Sequence, residues 1–276
     1  MENKSKKFST KCVHEGEIKD TMYQGIVSPL FMSTTYPWFG GDDPEKKPYP
    51  RYFNTPNQEF LSKKIASLEN GEKALIFTSG MAAISTSIMA NVKTGDHIVV
   101  QNDIYGGTRN FVLTEFDKFG IEYSFTNGLD PLNFSDQIKD NTVGIYLETP
   151  SNPLLKIVDL KSVSSIAKDN GVWTMIDNTF SSPVNQNPID HGIDIVLHSA
   201  TKYLGGHSDI SAGAVISTES RIEQILNSAK NFGGNLSDYT VWLLERSIKT
   251  LHIRVKEQTN NAKTLAKMLD ENTNIS

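Results

Sequence analysis

The sequence predicts an α/β protein built around a mostly parallel β-sheet. Short apolar runs alternate with helical segments of about ten residues along most of the chain, which is the signature of βαβ units. The 276 residues are enough for one large domain with part of a second, and 38% of them are hydrophobic, as in soluble globular proteins. These observations favour a sheet that is covered by helices on both faces.

The predicted elements follow one another in chain order. The first long helix lies in "NQEFLSKKIASLENG", with an Asn or Thr available as its N-cap and Gly71 at its end. Strands are predicted in "KALIF", "HIVVQ", "IEYSF", "TVGIYLE", "VWTMID", "DIVLHS" and "AGAVIST". Further helices are predicted in "GMAAISTSIMANV", "GGTRNFVLTEFDKFG", "LNFSDQIKD" and "VDLKSVSSIAKDNG", and from about Glu219.

The chain divides into three regions by pattern. Residues 1–55 have no clear period and are rich in Pro, Gly and aromatic side chains, which predicts an irregular N-terminal arm. Residues 56–245 hold the alternating strands and helices of the large domain. Residues 246–276 continue a helical pattern without another strand, and we interpret them as the linker and first helix of a C-terminal domain that this chain does not complete.

The composition argues against several classes of partner. A net charge of −5 gives no electrostatic reason to expect a nucleic acid or an anionic membrane surface. The single cysteine, Cys12, excludes an intramolecular disulfide. No apolar run reaches the roughly 18 residues of a membrane-spanning helix, and the basic N-terminus is not followed by a signal-peptide core. We therefore expect a soluble cytoplasmic protein that binds neither nucleic acid nor membrane.

The polar residues that could carry chemistry stand where strands end. In open α/β sheets, ligands bind beyond the carboxyl ends of the strands. "SGMAA" opens a helix behind "KALIF", and the backbone N–H groups of such a turn can bind a phosphate. Glu148 and Asp177 each close a strand, and Lys202 follows "DIVLHS". Each feature has an ordinary alternative, since glycines open many helices and strand-end acids often cap turns.

Lys202 is the residue on which the interpretation depends. A single lysine is usually a solvated surface residue. After an apolar strand, however, we expect it in a partly desolvated place, where an amine is a better nucleophile. Pyridoxal phosphate needs a lysine for its aldehyde, a phosphate cradle and a carboxylate beside its ring nitrogen, and the strand ends supply all three.

The chain resembles the pyridoxal-phosphate-dependent Cys/Met metabolism family of transsulfuration enzymes. That family includes cystathionine γ-synthases, cystathionine β- and γ-lyases, methionine γ-lyases and O-acylhomoserine sulfhydrylases. The resemblance rests on "SGMAA", "DIYGGT", "ETPSNP", "IDNTF", "SATKYLGGHSD" and "WLLERSIKTLHIR", which occur in the family's order. It extends from "KCVHEG" to "TLHIRV" and implies an aspartate-aminotransferase-like large domain of fold type I, with pyridoxal 5'-phosphate as cofactor.

The resemblance implies a role for each matching residue. Lys202 matches the lysine that binds the cofactor aldehyde and Tyr105 the tyrosine that stacks on the ring, so these two are the predicted catalytic residues. The predicted cofactor-binding residues are these two with Asp177 at the ring nitrogen, Gly80, Met81, Ser199 and Thr201 around the phosphate, Asn152 and Thr179 beside the ring, and the pair Tyr49 and Arg51. In the family, that last pair reaches the phosphate site of a neighbouring subunit, which implies a homo-oligomer, either a dimer or a tetramer of dimers.

The implied activity is the cleavage or formation of C–S bonds in small sulfur amino acids, and a cystathionine lyase is our first expectation. Gly107 stands where methionine γ-lyases carry a reactive cysteine, which favours cystathionine-type enzymes or sulfhydrylases. Cystathionine γ-synthase or O-acylhomoserine sulfhydrylase is the alternative. In the family, an arginine of the C-terminal domain holds the substrate carboxylate. Because we interpret this chain as not completing that domain, a catalytically inactive fragment that retains the cofactor site is the second alternative.

Other classes of protein are also open from the residues alone. An aminotransferase would share the lysine and the aspartate, but "SATKYLGGHSD" and "YGGT" argue against it. A non-catalytic cofactor-binding or oligomerising protein is compatible with the same motifs. A nicotinamide-dependent dehydrogenase has only the βαβ alternation in its favour, without a G-x-G-x-x-G fingerprint. No metal site is predicted, because the 6 histidines are not at metal-ligand spacings.

Overall fold

A computed structural model describes residues 6–37 and 47–274 of the chain. Residues 1–5 and 38–46 of the predicted arm, and residues 275–276 of the predicted C-terminal segment, lie outside the described residues. Within the described ranges, no helix is both long enough and apolar enough to cross a membrane.

One seven-stranded sheet organises the described part of the chain, and it is mostly parallel as predicted. Its strands are β1 (Lys73–Phe77), β2 (His97–Val100), β3 (Glu122–Phe125), β4 (Thr142–Glu148), β5 (Trp173–Asp177), β6 (Ile195–His198) and β7 (Gly213–Ser217). Their order across the sheet is β1-β7-β6-β5-β4-β2-β3. Only β7 departs from the parallel arrangement, because it runs antiparallel to β1 and to β6.

The helices are α1 (Phe8–His14), α2 (Pro56–Leu68), α3 (Gly80–Ala90), α4 (Gly106–Phe119), α5 (Pro131–Ser135), α6 (Leu160–Asp169), α7 (Ser182–Asn185), α8 (Glu219–Phe232), α9 (Asp238–Ile248) and α10 (Leu251–Asp270). Most of them agree with the predicted segments to within a few residues, whereas α1 and the short α7 lie in no predicted helical segment. The prediction of a wholly irregular arm was wrong at two places, since the arm contains α1 and a 3-10 turn at Pro50–Tyr52. Neither segment has the length or the apolar period that marks a helix in a sequence.

The strands bury side chains on both faces of the sheet. Along β4, Ile145 and Leu147 join one apolar core, whereas Tyr146 joins the other. The first core is closed by α2, α6 and α9, and the second by α3, α4 and α8. A strand that is covered twice must be apolar at successive positions, which is why these segments read as continuous apolar runs.

The arm and the C-terminal helices both fasten onto this domain. Trp242 of α9 donates its indole N–H to the carbonyl of Ser28 at 2.9 Å, which holds the arm against the helix. Leu251 and Val255, in the first turns of α10, belong to the same core as α9. The boundary at residue 245 stays a prediction, and the core itself continues as far as Val255.

Candidate active site

A cavity of about 670 Å³ opens at the edge of the sheet where β4, β5 and β6 end. This is the edge at which ligands bind in open α/β sheets. Phe180, Tyr203 and Gln258 line it without having been predicted. The predicted residues that line it are Gly80, Met81, Tyr105, Asn152, Asp177, Thr179, Ser199, Thr201 and Lys202.

The amino terminus of α3 forms one wall of the cavity. Ser79 caps the helix by accepting the N–H of Ala82 at 3.0 Å, and the N–H groups of Gly80 and Met81 lie in the first turn, where no intrahelical acceptor exists. A Cβ at Gly80 would lie 2.8 Å from the Cβ of Ser199 and 3.0 Å from its Cα. Glycine is therefore needed here for the helix end to approach Ser199, and the two together can bind an anion.

Asp177 lies at the floor of the cavity and is tied to Ser199 through Thr179. Its Oδ1 accepts the N–H of Thr179 at 3.0 Å and the hydroxyl of Thr179 at 2.5 Å. The same hydroxyl oxygen accepts the N–H of Ser199 at 2.8 Å. In the described part of the chain, Oδ2 of Asp177 accepts no hydrogen bond. Burial raises the pKa of this carboxyl, although the hydrogen bonds from Thr179 oppose the rise.

Glu148 is the second buried acid of the cavity, and the sequence singled it out only as a strand end. It stands opposite Asp177 in the β4–β5 register and is 3% exposed. Its Oε2 accepts the N–H of Tyr105 and its Oε1 the N–H of Asn152, both at 2.7 Å. Burial, and after it the charge of Asp177, raise the pKa of Glu148 to about 8. The pairing of β4 with β5 places Glu148 beside Asp177, and this strand register is the signal that could have indicated that the two acids are close.

Lys202 lies in a tight turn behind β6. Its N–H donates to the carbonyl of Ser199 at 3.1 Å, and its own carbonyl accepts the N–H of Gly206 at 2.6 Å. Gly206 has a φ of +75°, which glycine adopts without strain. The side chain of Lys202 is exposed. The expectation of a desolvated lysine was therefore wrong for this chain, because the turn carries the residue beyond the apolar strand into the open mouth of the cavity.

Arg254 supports this turn from α10 and was not identified from the sequence. Its Nη1 donates to the carbonyl of Tyr203 at 2.8 Å, and its Nη2 donates to the carbonyls of Leu204 at 3.3 Å and Ser247 at 3.0 Å. A Cβ at Gly206 would lie 1.8 Å from Nη1, so the guanidinium fills the space that a side chain there would take. No local pattern links a helix residue to a turn so far away in the chain.

Thr201 and Tyr105 line the cavity in different ways. The hydroxyl of Thr201 donates to the carbonyl of Ala212 at 3.1 Å and accepts its N–H at 2.9 Å, so it anchors the turn to the segment before β7. Tyr105 is 43% exposed and its ring lies over Gly107, where a Cβ would come within 2.5 Å of the ring carbon Cε1.

The predicted pair Tyr49 and Arg51 lies outside this cavity. Arg51 donates to the carbonyl of Lys230 at 2.6 Å, and its guanidinium stands over the ring of Tyr49 at 5.6 Å and over that of Tyr52 at 5.2 Å. Tyr49 is 43% exposed. The fold of a single chain therefore does not bring this pair to the other predicted site residues.

These groups fit pyridoxal phosphate. The helix end beside Ser199 suits a phosphate, and the buried Oδ2 of Asp177 without a partner suits a protonated ring nitrogen. Within the described ranges, neither Asp177 nor Glu148 takes part in an ion pair, so a cation bound beside them would stabilise their ionised forms. With Lys202 at the same edge, the fold and the site define a pyridoxal-phosphate enzyme of the aspartate-aminotransferase-like fold.

Comparison with known proteins identifies the family. The chain belongs to the Cys/Met metabolism PLP-dependent enzymes, whose family model matches residues 9–276. It is 37% identical over 269 residues to a probable cystathionine gamma-synthase of Herpetosiphon aurantiacus, covering 97% of this chain and 84% of the relative. It is 39% identical over 272 residues to a cystathionine beta-lyase of Lactococcus lactis subsp. cremoris, covering 98% of this chain and 70% of the relative.

The comparison with solved structures agrees with this family assignment. The crystal structure of a cystathionine gamma-lyase from Lactobacillus plantarum complexed with L-serine matches with a TM-score of 0.91 at 36% identity, covering 97% of this chain and 70% of that one. The predicted family, fold class, cofactor and general activity are thereby confirmed: the chain is a pyridoxal-phosphate-dependent transsulfuration enzyme acting on an amino-acid substrate.

Proposed function

We propose that the cavity at the carboxyl edge of the sheet is the cofactor and reaction site, and that the enzyme cleaves a C–S bond of a sulfur amino acid as a cystathionine lyase. The observation that carries this proposal is the convergence of Lys202, Asp177 and the amino terminus of α3 on one cavity. These three features come from β6, β5 and the segment after β1, so the fold alone joins them.

Different residues around the cavity would bind different parts of the cofactor. The N–H groups of Gly80 and Met81 and the hydroxyl of Ser199 would bind the phosphate, and Thr201 keeps the turn that carries Ser199 in place. Asp177 would hold the proton on the ring nitrogen through its free Oδ2. The ring of Tyr105, which lines the same cavity, would provide a stacking surface.

The remaining polar side chains complete this arrangement around the ring. Asn152 would contact the ring hydroxyl. Thr179 orients Asp177 by a hydrogen bond of 2.5 Å and would contact the ring as well.

Bound pyridoxal phosphate supplies an aldehyde for the substrate amine and a cationic ring that withdraws electrons from Cα. Lys202 would then act as the general base that takes the Cα proton, since its side chain is exposed in the mouth of the cavity. Tyr105 would assist proton transfer. The sulfur substituent would leave with the electrons of its C–S bond and take up a proton to become a thiol.

Two observations bear on the choice of reaction. The contact of 2.5 Å that a Cβ at Gly107 would make with the Tyr105 ring leaves no room for the cysteine of methionine γ-lyases with the ring in this position. This supports a cystathionine-type enzyme. Cystathionine γ-synthase or O-acylhomoserine sulfhydrylase is the second candidate, because the relatives include a probable cystathionine gamma-synthase.

A homo-oligomer is part of the proposal. Tyr49 and Arg51 lie away from the cavity of their own chain, and Met22, Tyr23 and Ile26 of the arm are 77%, 83% and 94% exposed. An arm that presents apolar side chains to solvent is suited to pack on a second copy. In such an assembly, Tyr49 and Arg51 of one subunit complete the phosphate site of the other.

The deciding experiment supplies cystathionine, cysteine and an O-acylhomoserine with a thiol in parallel and identifies the products. Release of a thiol, ammonia and a keto acid from cystathionine supports the lyase, whereas C–S bond formation from the O-acylhomoserine supports the alternative. Lys202→Ala should lose turnover and the visible absorbance of the bound cofactor, whereas Lys118→Ala on α4 should keep both. A Lys202→Ala protein with full turnover would contradict the proposal, and a cofactor-binding wild type without any product would favour a non-catalytic chain.

A further inference from the structure

One buried acid of the cavity has no part in the roles assigned above. Glu148 closes β4 beside Asp177 at the end of β5, and the two are 3% and 6% exposed. Two buried carboxylates side by side repel each other, and each loses its hydration. The pair therefore costs folding free energy in the empty protein. Buried acids with such a cost are typical of functional sites, which favours a role for Glu148.

Each carboxylate oxygen of Glu148 holds one backbone amide. Oε2 accepts the N–H of Tyr105, in the loop between β2 and α4, and Oε1 accepts the N–H of Asn152, in the loop after β4. Gln101 fixes the backbone of Glu148 by accepting its N–H at 3.0 Å and by donating to its carbonyl at 2.9 Å. The carboxylate is thus anchored at its own strand and joins two separate loops that both line the cavity.

We propose that Glu148 is a positioning residue for the cofactor, which holds the Tyr105 and Asn152 loops together and adds its charge to that of Asp177 where a cation binds. This inference rests on the cofactor site proposed above and extends it to a residue that touches the two loops. A carboxamide of the same size could not accept the two amides on two separate oxygens, because its second polar group is an NH2 that donates.

The surroundings of Glu148 link its charge to occupation of the cavity. The titratable groups that share the cavity or its floor with it are Tyr105, Tyr146, Asp177, His198, Lys202 and Tyr203. Burial, and next the charge of Asp177, raise the pKa of Glu148 to about 8. A cationic ring would favour the ionised carboxylate and lower that pKa, so cofactor binding releases a proton from Glu148 below about pH 8.

The test titrates the cofactor-free wild type, Glu148→Gln and Glu148→Asp with pyridoxal 5'-phosphate at several pH values. Protein fluorescence gives the dissociation constant, and visible circular dichroism reports how the bound ring is oriented. For Glu148→Gln we expect an affinity lower by about ten- to a hundredfold at high pH and a weaker dichroic band, because one amide acceptor and one charge are lost. The ratio of wild-type to Glu148→Gln affinity should rise with pH and level off above about pH 8.

Glu148→Asp separates the effect of the negative charge from the effect of the side-chain length. The shorter side chain keeps the charge but cannot hold both amides, so this variant should bind the cofactor more weakly while retaining the wild-type pH dependence. Asp194→Asn is the matched control, since Oδ2 of Asp194 accepts the N–H of Thr174 at 2.8 Å at the opposite end of β5. It should lower the melting temperature without changing the cofactor affinity.

The outcomes are distinguishable. A Glu148→Gln protein with wild-type affinity, pH dependence and dichroism overturns the proposal. If that variant does not fold, Glu148→Asp decides alone, and wild-type affinity in it overturns the proposal equally. A wild type that does not bind pyridoxal 5'-phosphate overturns the cofactor site, and this inference with it.

Discussion

Asp177 binds Thr179 with one carboxylate oxygen and leaves the other without a hydrogen-bond partner in the described part of the chain. A buried acid in this state is unfavourable for folding, since burial penalises its charged form. The same acid suits a bound cation, because the cation replaces the hydration that was lost. At the scale of the residue, the buried carboxyl of Asp177 lowers the stability of the empty protein and suits the binding of a charged ring.

Asp177→Asn should separate these two effects. An amide still accepts the hydrogen bonds from Thr179 but carries no charge, so the cofactor-free variant should be as stable as the wild type or more stable by about 1 kcal/mol at neutral pH. Its turnover should fall by at least about a hundredfold, because a neutral amide does not hold a proton on the ring nitrogen. Denaturant unfolding and a lyase assay measure the two, and unchanged turnover would contradict the assignment.

The cofactor-free protein should lose stability as the pH rises towards 8. The pKa of Glu148 is raised from 4.5 to about 8 in the folded chain. The folded state therefore binds more protons than the unfolded state across this interval, and the advantage disappears as pH rises through it. The contribution is at most about 1.4 kcal/mol per pH unit.

Urea unfolding at several pH values measures this slope. Glu148→Gln should flatten it, because that variant has no proton to lose. An unfolding free energy that increases from about pH 5 to about pH 8 by the same amount in both proteins would show that Glu148 does not control it.

At the scale of the elements, α3 and β6 meet through a glycine. Gly80 opens α3 against Ser199, which follows β6, and a Cβ there would lie 3.0 Å from the Ser199 Cα. Backbone cannot yield as a flexible side chain can, so the distance between the helix end and the turn depends on this residue. β7 contributes from the other side, since Ala212 just before it holds Thr201.

Gly80→Ala should therefore weaken the cofactor site more than it weakens the fold. We expect the affinity for pyridoxal 5'-phosphate to fall by about tenfold or more as the helix end moves away from Ser199. Gly106→Ala is the matched control, because Gly106 also opens a helix and a Cβ there would meet nothing within 4 Å. Equal affinities in the two variants, measured by fluorescence titration, would argue against a phosphate site at α3.

At the scale of the whole molecule, the predicted site is divided between regions that one chain does not bring together. Lys202 and Asp177 meet in the cavity, whereas Tyr49 and Arg51 lie beside α8, with Arg51 bonded to the carbonyl of Lys230. The exposed apolar residues of the arm are consistent with packing on another copy. A shared site of this kind would need residues from two subunits.

Lys202→Ala and Arg51→Ala should each be inactive or nearly so, and a mixture of the two that is unfolded and refolded together should regain activity. In a randomly formed dimer, about a quarter of the sites would combine an intact Lys202 with an intact Arg51. Steady-state turnover of the mixture measures the recovery, and size-exclusion chromatography checks that mixed oligomers form. Turnover no higher than the sum of the separate variants would contradict a shared site.

The strands, most of the helices and the position of Lys202 behind a strand could be predicted from the sequence because each has a local signal. A strand that is buried on both faces must be apolar along its length, as "TVGIYLE" is, and a helix start such as Thr55 with Gln58 carries its own capping pattern. The motif around Lys202 is likewise continuous in the chain. Such features depend on neighbours in sequence, so they are visible before folding.

Other features depend on which residues packing brings together. The two amides held by Glu148, the support of the Lys202 turn by Arg254 and the antiparallel position of β7 between β1 and β6 all join distant segments. The exposure of Lys202 also follows from where the turn leaves the sheet. By itself, the sequence determined the fold class, the family resemblance and the residues proposed for the site, because these depend on local patterns. The distances, burial and raised pKa of Glu148 were decided by the tertiary structure, which sets the strand ends side by side.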